Sequence, residues 1–160
     1  MRSFFYNTLR MMEERRFYMD KPIAGYGWYI KRIDNALEKE ANGNLQALNL
    51  TMQQNRVLIL LAHAEGHTLS LKALEERFGA AQSTVAGLVS RLEKKGLIEA
   101  ATDPTDRRVK LARLTEEGVK LHAQSRQKVV DSEERLTSLL SEEEKDMLLR
   151  CLKKVYEAVK

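Results

Sequence analysis

The chain has 160 residues, 43% hydrophobic and 31% charged, with a formal net charge of +4. That mixture can bury a core, which excludes a disordered or fibrous chain, and the length fits one domain or one domain with a helical extension. No apolar run is long enough to span a bilayer, so no membrane partner is expected. The single Cys151 excludes an intramolecular disulfide and fits a reducing compartment. Arg10, Glu13, Glu14, Arg15 and Arg16 break the apolar stretch a signal peptide would need, so the expected location is cytoplasmic.

Residues 1–21 mix Phe4, Phe5, Leu9, Met12 and Phe17 with charges and read as an N-terminal arm or an extra helix. From Pro22 to about Ala41 the spacing predicts a helix with Tyr26, Tyr29, Ile30, Ile33 and Leu37 on one side, ended by Asn42-Gly43-Asn44. Thr51 and Gln54 form a capping box ahead of Val57-Leu58-Ile59-Leu60-Leu61, which reads as a buried central helix closed by Gly66. Ser70 caps a short helix with Leu71, Leu74 and Phe78 turned inward, and Gly79 makes the turn that follows.

The next helix, from Gln82 to Lys95, is two-faced. Val85, Leu88, Val89 and Leu92 recur at helical spacing and make an apolar stripe. The opposite face carries Ser83, Gly87, Ser90 and Lys94, with Arg91 beside them. Small hydroxyls and a guanidinium on a flat face suit contact with phosphates and base edges. Gly96 stops the helix, and a hairpin follows: strand 97–101, tip 102–108 and return strand 109–114. The tip sets Arg107 and Arg108 beside Asp103 and Asp106. Over 82–115 the positive charges exceed the negative by three, a local excess expected of a nucleic-acid reader. Two short helices joined by a glycine turn, then a hairpin, describe a helix-turn-helix whose second helix enters the major groove.

Thr115 is the expected N-cap of a long helix reaching about Leu140, and Ser141 with Glu144 forms a second capping box. The last helix carries Met147, Leu148, Cys151, Leu152, Val155, Tyr156 and Val159. These stripes lie far in sequence from the reading module, and a dimer interface is their expected use.

The chain resembles the MarR family of winged helix-turn-helix transcription regulators, from about Pro22 to the C-terminus. The resemblance is carried by Leu50-Thr51 with Gln54, by Ser83-Thr84-Val85 and by residues 89–98. It is carried most of all by Asp103-Pro104-Thr105-Asp106-Arg107-Arg108, followed by Leu111, Leu114-Thr115 and Gly118. It implies a mainly α fold with a small two-stranded β-wing. In it, 49–114 form the winged helix-turn-helix DNA-binding domain, and 22–48 with 115–160 form a helical dimerisation region. The resemblance implies major-groove contacts for Ser83, Thr84, Ser90 and Arg91. It implies a minor-groove contact for Arg107, steadied by an ion pair with Asp106 or Asp103. Gln82, Gly87, Lys94 and Arg108 complete the expected DNA-binding set. Two positions depart from the family pattern: Ala81 stands where a capping side chain is usual, and Gly87 where a longer side chain often sits.

Beyond the reading module, Trp28, Tyr29, Arg32, Met52 and His63 are candidates to line an effector pocket. His63 and His67 have the spacing of a helical metal pair, but no third ligand is evident, so no metal is expected. No cofactor is expected either, and His122 stands alone in the sequence. Cys151, on an apolar stripe, is expected to pack as a small buried hydrophobe. No nucleophile–base set, phosphate-cradling loop or paired carboxylates point to an enzyme. The expected function is a homodimeric, sequence-specific regulator that binds double-stranded DNA at a palindrome, acts as a repressor and responds to a small-molecule effector. The alternative is a winged-helix protein-interaction module without DNA binding.

Overall fold

The computed structural model describes residues 25–160, so the expected arm at 1–21 and the start of the first helix at Pro22 lie outside the described residues. Six helices and three strands follow in the order α1 (Tyr26–Ala47), α2 (Met52–Ala62), β1 (Thr68–Ser70), α3 (Leu71–Phe78), α4 (Gln82–Lys94), β2 (Ile98–Thr102), β3 (Lys110–Leu114), α5 (Glu116–Leu136) and α6 (Glu142–Val159). The chain divides into two units, one up to Glu40 and one covering Ala41–Lys160. No described helix is long and apolar enough to cross a membrane.

Within the first unit, the Trp28 and Tyr29 rings meet edge to face at 4.9 Å, and the Arg32 guanidinium lies 4.9 Å from the Trp28 ring centre. Lys31 pairs with Asp34 at 2.9 Å, one turn further along the same helix.

Helix α1 does not end at Asn42-Gly43-Asn44, as the sequence suggested; it runs on to Ala47. Its stop is set by packing. Asn49 takes a left-handed φ of 54°, a conformation Asn tolerates better than most residues. This lets Asn49 N–H donate to the Gln46 carbonyl and Leu50 N–H to the Leu45 carbonyl. Leu45 and Leu50 then meet in the core, and this contact completes a Schellman end. Helix α4 ends the same way, with Gly96 at φ 70°, Gly96 N–H on the Glu93 carbonyl and Leu97 N–H on the Leu92 carbonyl.

The helix starts obey their caps. Thr51 and Gln54 exchange both bonds of the capping box, as do Ser141 and Glu144, while Ser70 and Thr115 each accept from a backbone N–H three residues on. Helix α2 closes earlier than Gly66, with His63 as its C-cap, and a 3₁₀ turn at Glu65–His67 follows. Helix α5 closes at Leu136, short of the expected Leu140.

The core lies in the second unit. Val57, Leu58 and Leu61 of α2 are fully buried against Leu74, Val85, Leu88, Leu92, Ile98 and Ala112. Ile59 of the same helix is exposed, so α2 is buried along a stripe rather than all round. The expected wing hairpin is present, β2 against β3, and a third strand joins it: the sheet is antiparallel in the order β1-β3-β2. Arg113 of β3 faces Thr68 on one side and Glu99 on the other. Its Nε donates to Thr68 Oγ1 at 3.0 Å and its guanidinium pairs with Glu99 at 3.7 Å, so one side chain staples all three strands. At the far side of the module, Asn55 of α2 accepts from the Ser125 hydroxyl of α5 at 2.9 Å, a buried polar link between the two helices.

Candidate nucleic-acid interface

Helix α4 presents its two faces as its periodicity demands. Val85, Leu88, Val89 and Leu92 are buried. Gln82, Ser83, Thr84, Ser90, Arg91 and Lys94 are exposed, and Gly87 is half-buried with open space around the position of a Cβ. The buried stripe presses on α2 and α3 and so fixes which face looks outward. Ala81 caps this helix with no side-chain bond, and neither Gln82 nor Ser83 substitutes for one. The first backbone N–H groups of α4 therefore have no capping side chain.

The wing tip is held by its acids. The Asp103 carboxylate accepts from Thr105 N–H at 2.7 Å, from the Thr105 hydroxyl at 2.5 Å and from Asp106 N–H at 3.2 Å. These bonds, the Thr105 hydroxyl first, hold the Asp103 carboxyl below its usual range. Val109 N–H closes the turn on the Asp106 carbonyl at 2.9 Å.

The expected ion pair falls on a different arginine. Asp106 binds Arg108, not Arg107: it accepts from Arg108 N–H at 3.0 Å, from Nε at 3.1 Å and from the terminal guanidinium nitrogen at 3.1 Å. Arg108 is two residues on, where the turn brings backbone and side chain back to the same carboxylate. The contact with Arg108 lowers the Asp106 pKa and raises that of Arg108. Arg107 is exposed and makes no ion pair among the described residues. Its guanidinium keeps all its donors for a partner.

A groove lies between the wing and the helix-turn-helix, lined by Ser70, Lys72, Glu75, Gln82, Arg108 and Lys110 among others. It brings Arg108 to Gln82, the first residue of α4. Lys110, a phosphate-contact candidate from sequence, lies in this lining, whereas Lys72 was missed by sequence reasoning; its signal was a lysine two residues after a helix-capping Ser, which periodicity alone does not mark.

The five effector-pocket candidates are divided between the two units, Trp28, Tyr29 and Arg32 in the first and Met52 and His63 in the second. Met52 lines a cavity of about 120 Å³ with Leu45, Leu48, Asn55, Lys128 and Val129 among its walls. Trp28, Tyr29 and Arg32 form their own cluster on α1. His63, at the other end of α2 from Met52, faces His122 with ring centres 6.2 Å apart, so His122 is not alone. His63 Nδ1 is 2.8 Å from the Ile59 carbonyl, and His67 Nδ1 is 3.2 Å from the Ala62 carbonyl. His122 Nδ1 is buried with no hydrogen-bond partner among the described residues. Burial, followed by the charges of His63, Arg126 and His67, pushes the His122 pKa down. Cys151 is exposed in the single chain, contrary to the expected burial, because α6 buries none of its residues.

Residues 48–109, the span of the reading module, match the sequence model of the MarR family. The HTH-type transcriptional regulator FarR of Neisseria gonorrhoeae is 32% identical over 108 residues, 68% of this chain and 72% of FarR. YfiV of Bacillus subtilis, an uncharacterised HTH-type transcriptional regulator, is 36% identical over 98 residues; the match covers 61% of this chain and only 60% of the length of YfiV. Among solved structures, the S. aureus MepR–DNA complex superposes with a TM-score of 0.76 at 27% identity, covering 84% of this chain and all of the MepR chain.

Proposed function

Since the chain belongs to the MarR family, we propose that it is a sequence-specific regulator of transcription that binds double-stranded DNA, represses as a homodimer on a palindromic operator and releases it on binding a small effector. The observation that carries this reading is one surface. Ser83, Thr84, Ser90 and Arg91 stand exposed on the face of α4 opposite its buried stripe, and the wing beside them offers Arg107, exposed and without an ion pair among the described residues. In this reading α4 enters the major groove, where hydroxyls and a guanidinium meet base edges. Arg107 enters the neighbouring minor groove, and Asp103 and Asp106 stiffen the tip that aims it. Arg108, Lys94 and Gln82 sit where phosphates would run.

The terminal helices supply the second copy. Met147, Leu148, Leu152, Val155 and Tyr156 of α6 are all exposed in one chain. An apolar face of that extent is covered in a stable protein, and a second copy of the same helix is self-complementary to it. Two reading helices one turn of DNA apart then match a palindrome. The cavity beside Met52, apolar with Lys128 and Asn55 at its walls, suits a small apolar effector with one anionic or polar group.

Gel retardation across a salt series tests the proposal. Wild type should select a palindromic duplex from a random pool, with an affinity that falls steeply as salt rises. Arg107→Ala should flatten that slope, and Ser90→Ala with Arg91→Ala should relax base preference. A protein that ignores every duplex at low ionic strength refutes the reading and leaves a protein-interaction module.

A further inference from the structure

Lys94 and Lys95 are neighbours in sequence and look equivalent there. The structure separates them. Both are exposed, but Lys94 bonds to no described residue, whereas the Lys95 ammonium turns back onto the protein. It donates to the Asn49 carbonyl and, at 3.1 Å, to Gln54 Oε1. Both acceptors are structural junctions. Asn49 is the left-handed residue that ends α1. Gln54 is only 4% exposed, and its Oε1 already accepts Thr51 N–H at 3.1 Å in the capping box of α2. One ammonium thus ties together the end of α1, the start of α2 and the end of α4.

We infer that Lys95 is a positioning residue for DNA reading: it fixes the direction of α4 against the α1–α2 corner and so sets base discrimination without touching DNA. The inference rests on the DNA-binding function proposed above. The buried stripe of α4 holds the helix at a given depth, but apolar contact is non-directional and leaves tilt and rotation soft. Hydrogen bonds to a charged donor are directional and strong, and these act at the C-terminal end of the helix, next to the Gly96 stop. Base-edge recognition tolerates little misalignment, because bond strength falls steeply with angle. Phosphate attraction tolerates much more. Loosening α4 therefore costs discrimination before it costs general affinity. With two of its three ammonium donors engaged within the protein, Lys95 is held away from a direct phosphate contact, so its removal should change the salt dependence far less than removal of Lys94.

The test uses the full chain, a duplex selected by wild type from a random pool, and a scrambled duplex of equal length, each titrated over a salt series. Lys95→Met should lower the ratio of selected to scrambled affinity by about tenfold or more, with the slope of log affinity against log salt unchanged. Lys94→Met should do the reverse, keeping the ratio while flattening the slope by roughly 0.9 for the one phosphate that Lys94 neutralises. Gln54→Glu preserves the capping box, charges the acceptor and should keep or raise the ratio. Gln54→Met removes one of the two acceptors and should lower it by less than Lys95→Met does, and the double variant should fall no further than Lys95→Met alone. If Lys95→Met does not fold, the two Gln54 variants decide: an unchanged ratio in Gln54→Met overturns the inference. A flattened salt slope in Lys95→Met, with equal weakening on both duplexes, also overturns it by making Lys95 a phosphate contact. If wild type retards neither duplex, the DNA-binding reading itself fails, an outcome separate from either of these.

Discussion

Gly118 stands where the first turn of α5 crosses the entry to the wing, and no side chain fits there. A Cβ on Gly118 would lie 2.1 Å from the Leu97 carbonyl oxygen and 3.1 Å from Leu114 Cδ2. The nearer atom is backbone, so relief requires moving the helix or the strand by about 1 Å, since carbon and oxygen pack no closer than roughly 3.2 Å. That corner is stitched by Thr115 N–H on the Leu97 carbonyl at 3.1 Å, the Thr115 hydroxyl on the Gly96 carbonyl at 2.7 Å, and Gly118 N–H on Thr115 Oγ1 at 3.0 Å. A shift of that size takes two of these out of range, at about 1 kcal/mol each. Overpacking adds about 1–3 kcal/mol. The better helix preference of Ala returns about 1 kcal/mol. Gly118→Ala should therefore lose about 2–4 kcal/mol, or roughly 5–15 °C in Tm for a chain of this size. Urea and thermal unfolding followed by circular dichroism measure it. Gly87→Ala is the control: nothing lies within 4 Å of its Cβ, so it should gain up to about 1 kcal/mol from helix preference. A Gly118→Ala loss below about 0.5 kcal/mol would refute the crowded-corner argument.

Three further outcomes follow from particular groups. The depressed His122 pKa means that the unfolded chain takes up its proton at a higher pH than the folded one. The contribution is complete above the ordinary value of 6.5 and is lost as pH falls from there toward the folded value. Tm should drop as pH is lowered from about 7.5 to about 5.5, and His122→Leu should drop less; an equal drop contradicts this. Ala81→Ser supplies the missing cap of α4 and should add about 1 kcal/mol in urea unfolding, whereas no gain would mean the cap position is already satisfied. Leu152→Glu puts a charge on the exposed apolar face of α6 and should convert a dimer to monomer in sedimentation; an unaltered dimer would place the interface elsewhere.

Helix starts were legible because Thr51, Ser70, Thr115 and Ser141 act locally, through a backbone N–H three residues away. Helix ends were legible only where a glycine takes a left-handed φ, as Gly79 and Gly96 do. Asn42-Gly43-Asn44 has the composition of a stop, yet α1 runs past it because its end is decided by Leu45 meeting Leu50 in the core. Strand β1 escaped notice for a similar reason: it is three residues long and exists through pairing with β3, as in Thr68 against Arg113. The two faces of α4 could be read directly, since a 3.6-residue period separates Val85, Leu88, Val89 and Leu92 from Ser83, Ser90 and Arg91. Which charge does what within the surface could not. Composition cannot distinguish Arg107 from Arg108, or Lys94 from Lys95; only the turn at Asp106 and the corner at Asn49 do so.

Hydroxyl-radical footprinting of the full chain on a duplex selected from a random pool tests the central claim most directly. Two protected patches should appear, centred about 10 base pairs apart, each flanked by minor-groove protection that Arg107→Ala removes. A uniform or absent footprint, or a single patch indifferent to Arg107, would contradict a paired reader built from α4 and the wing.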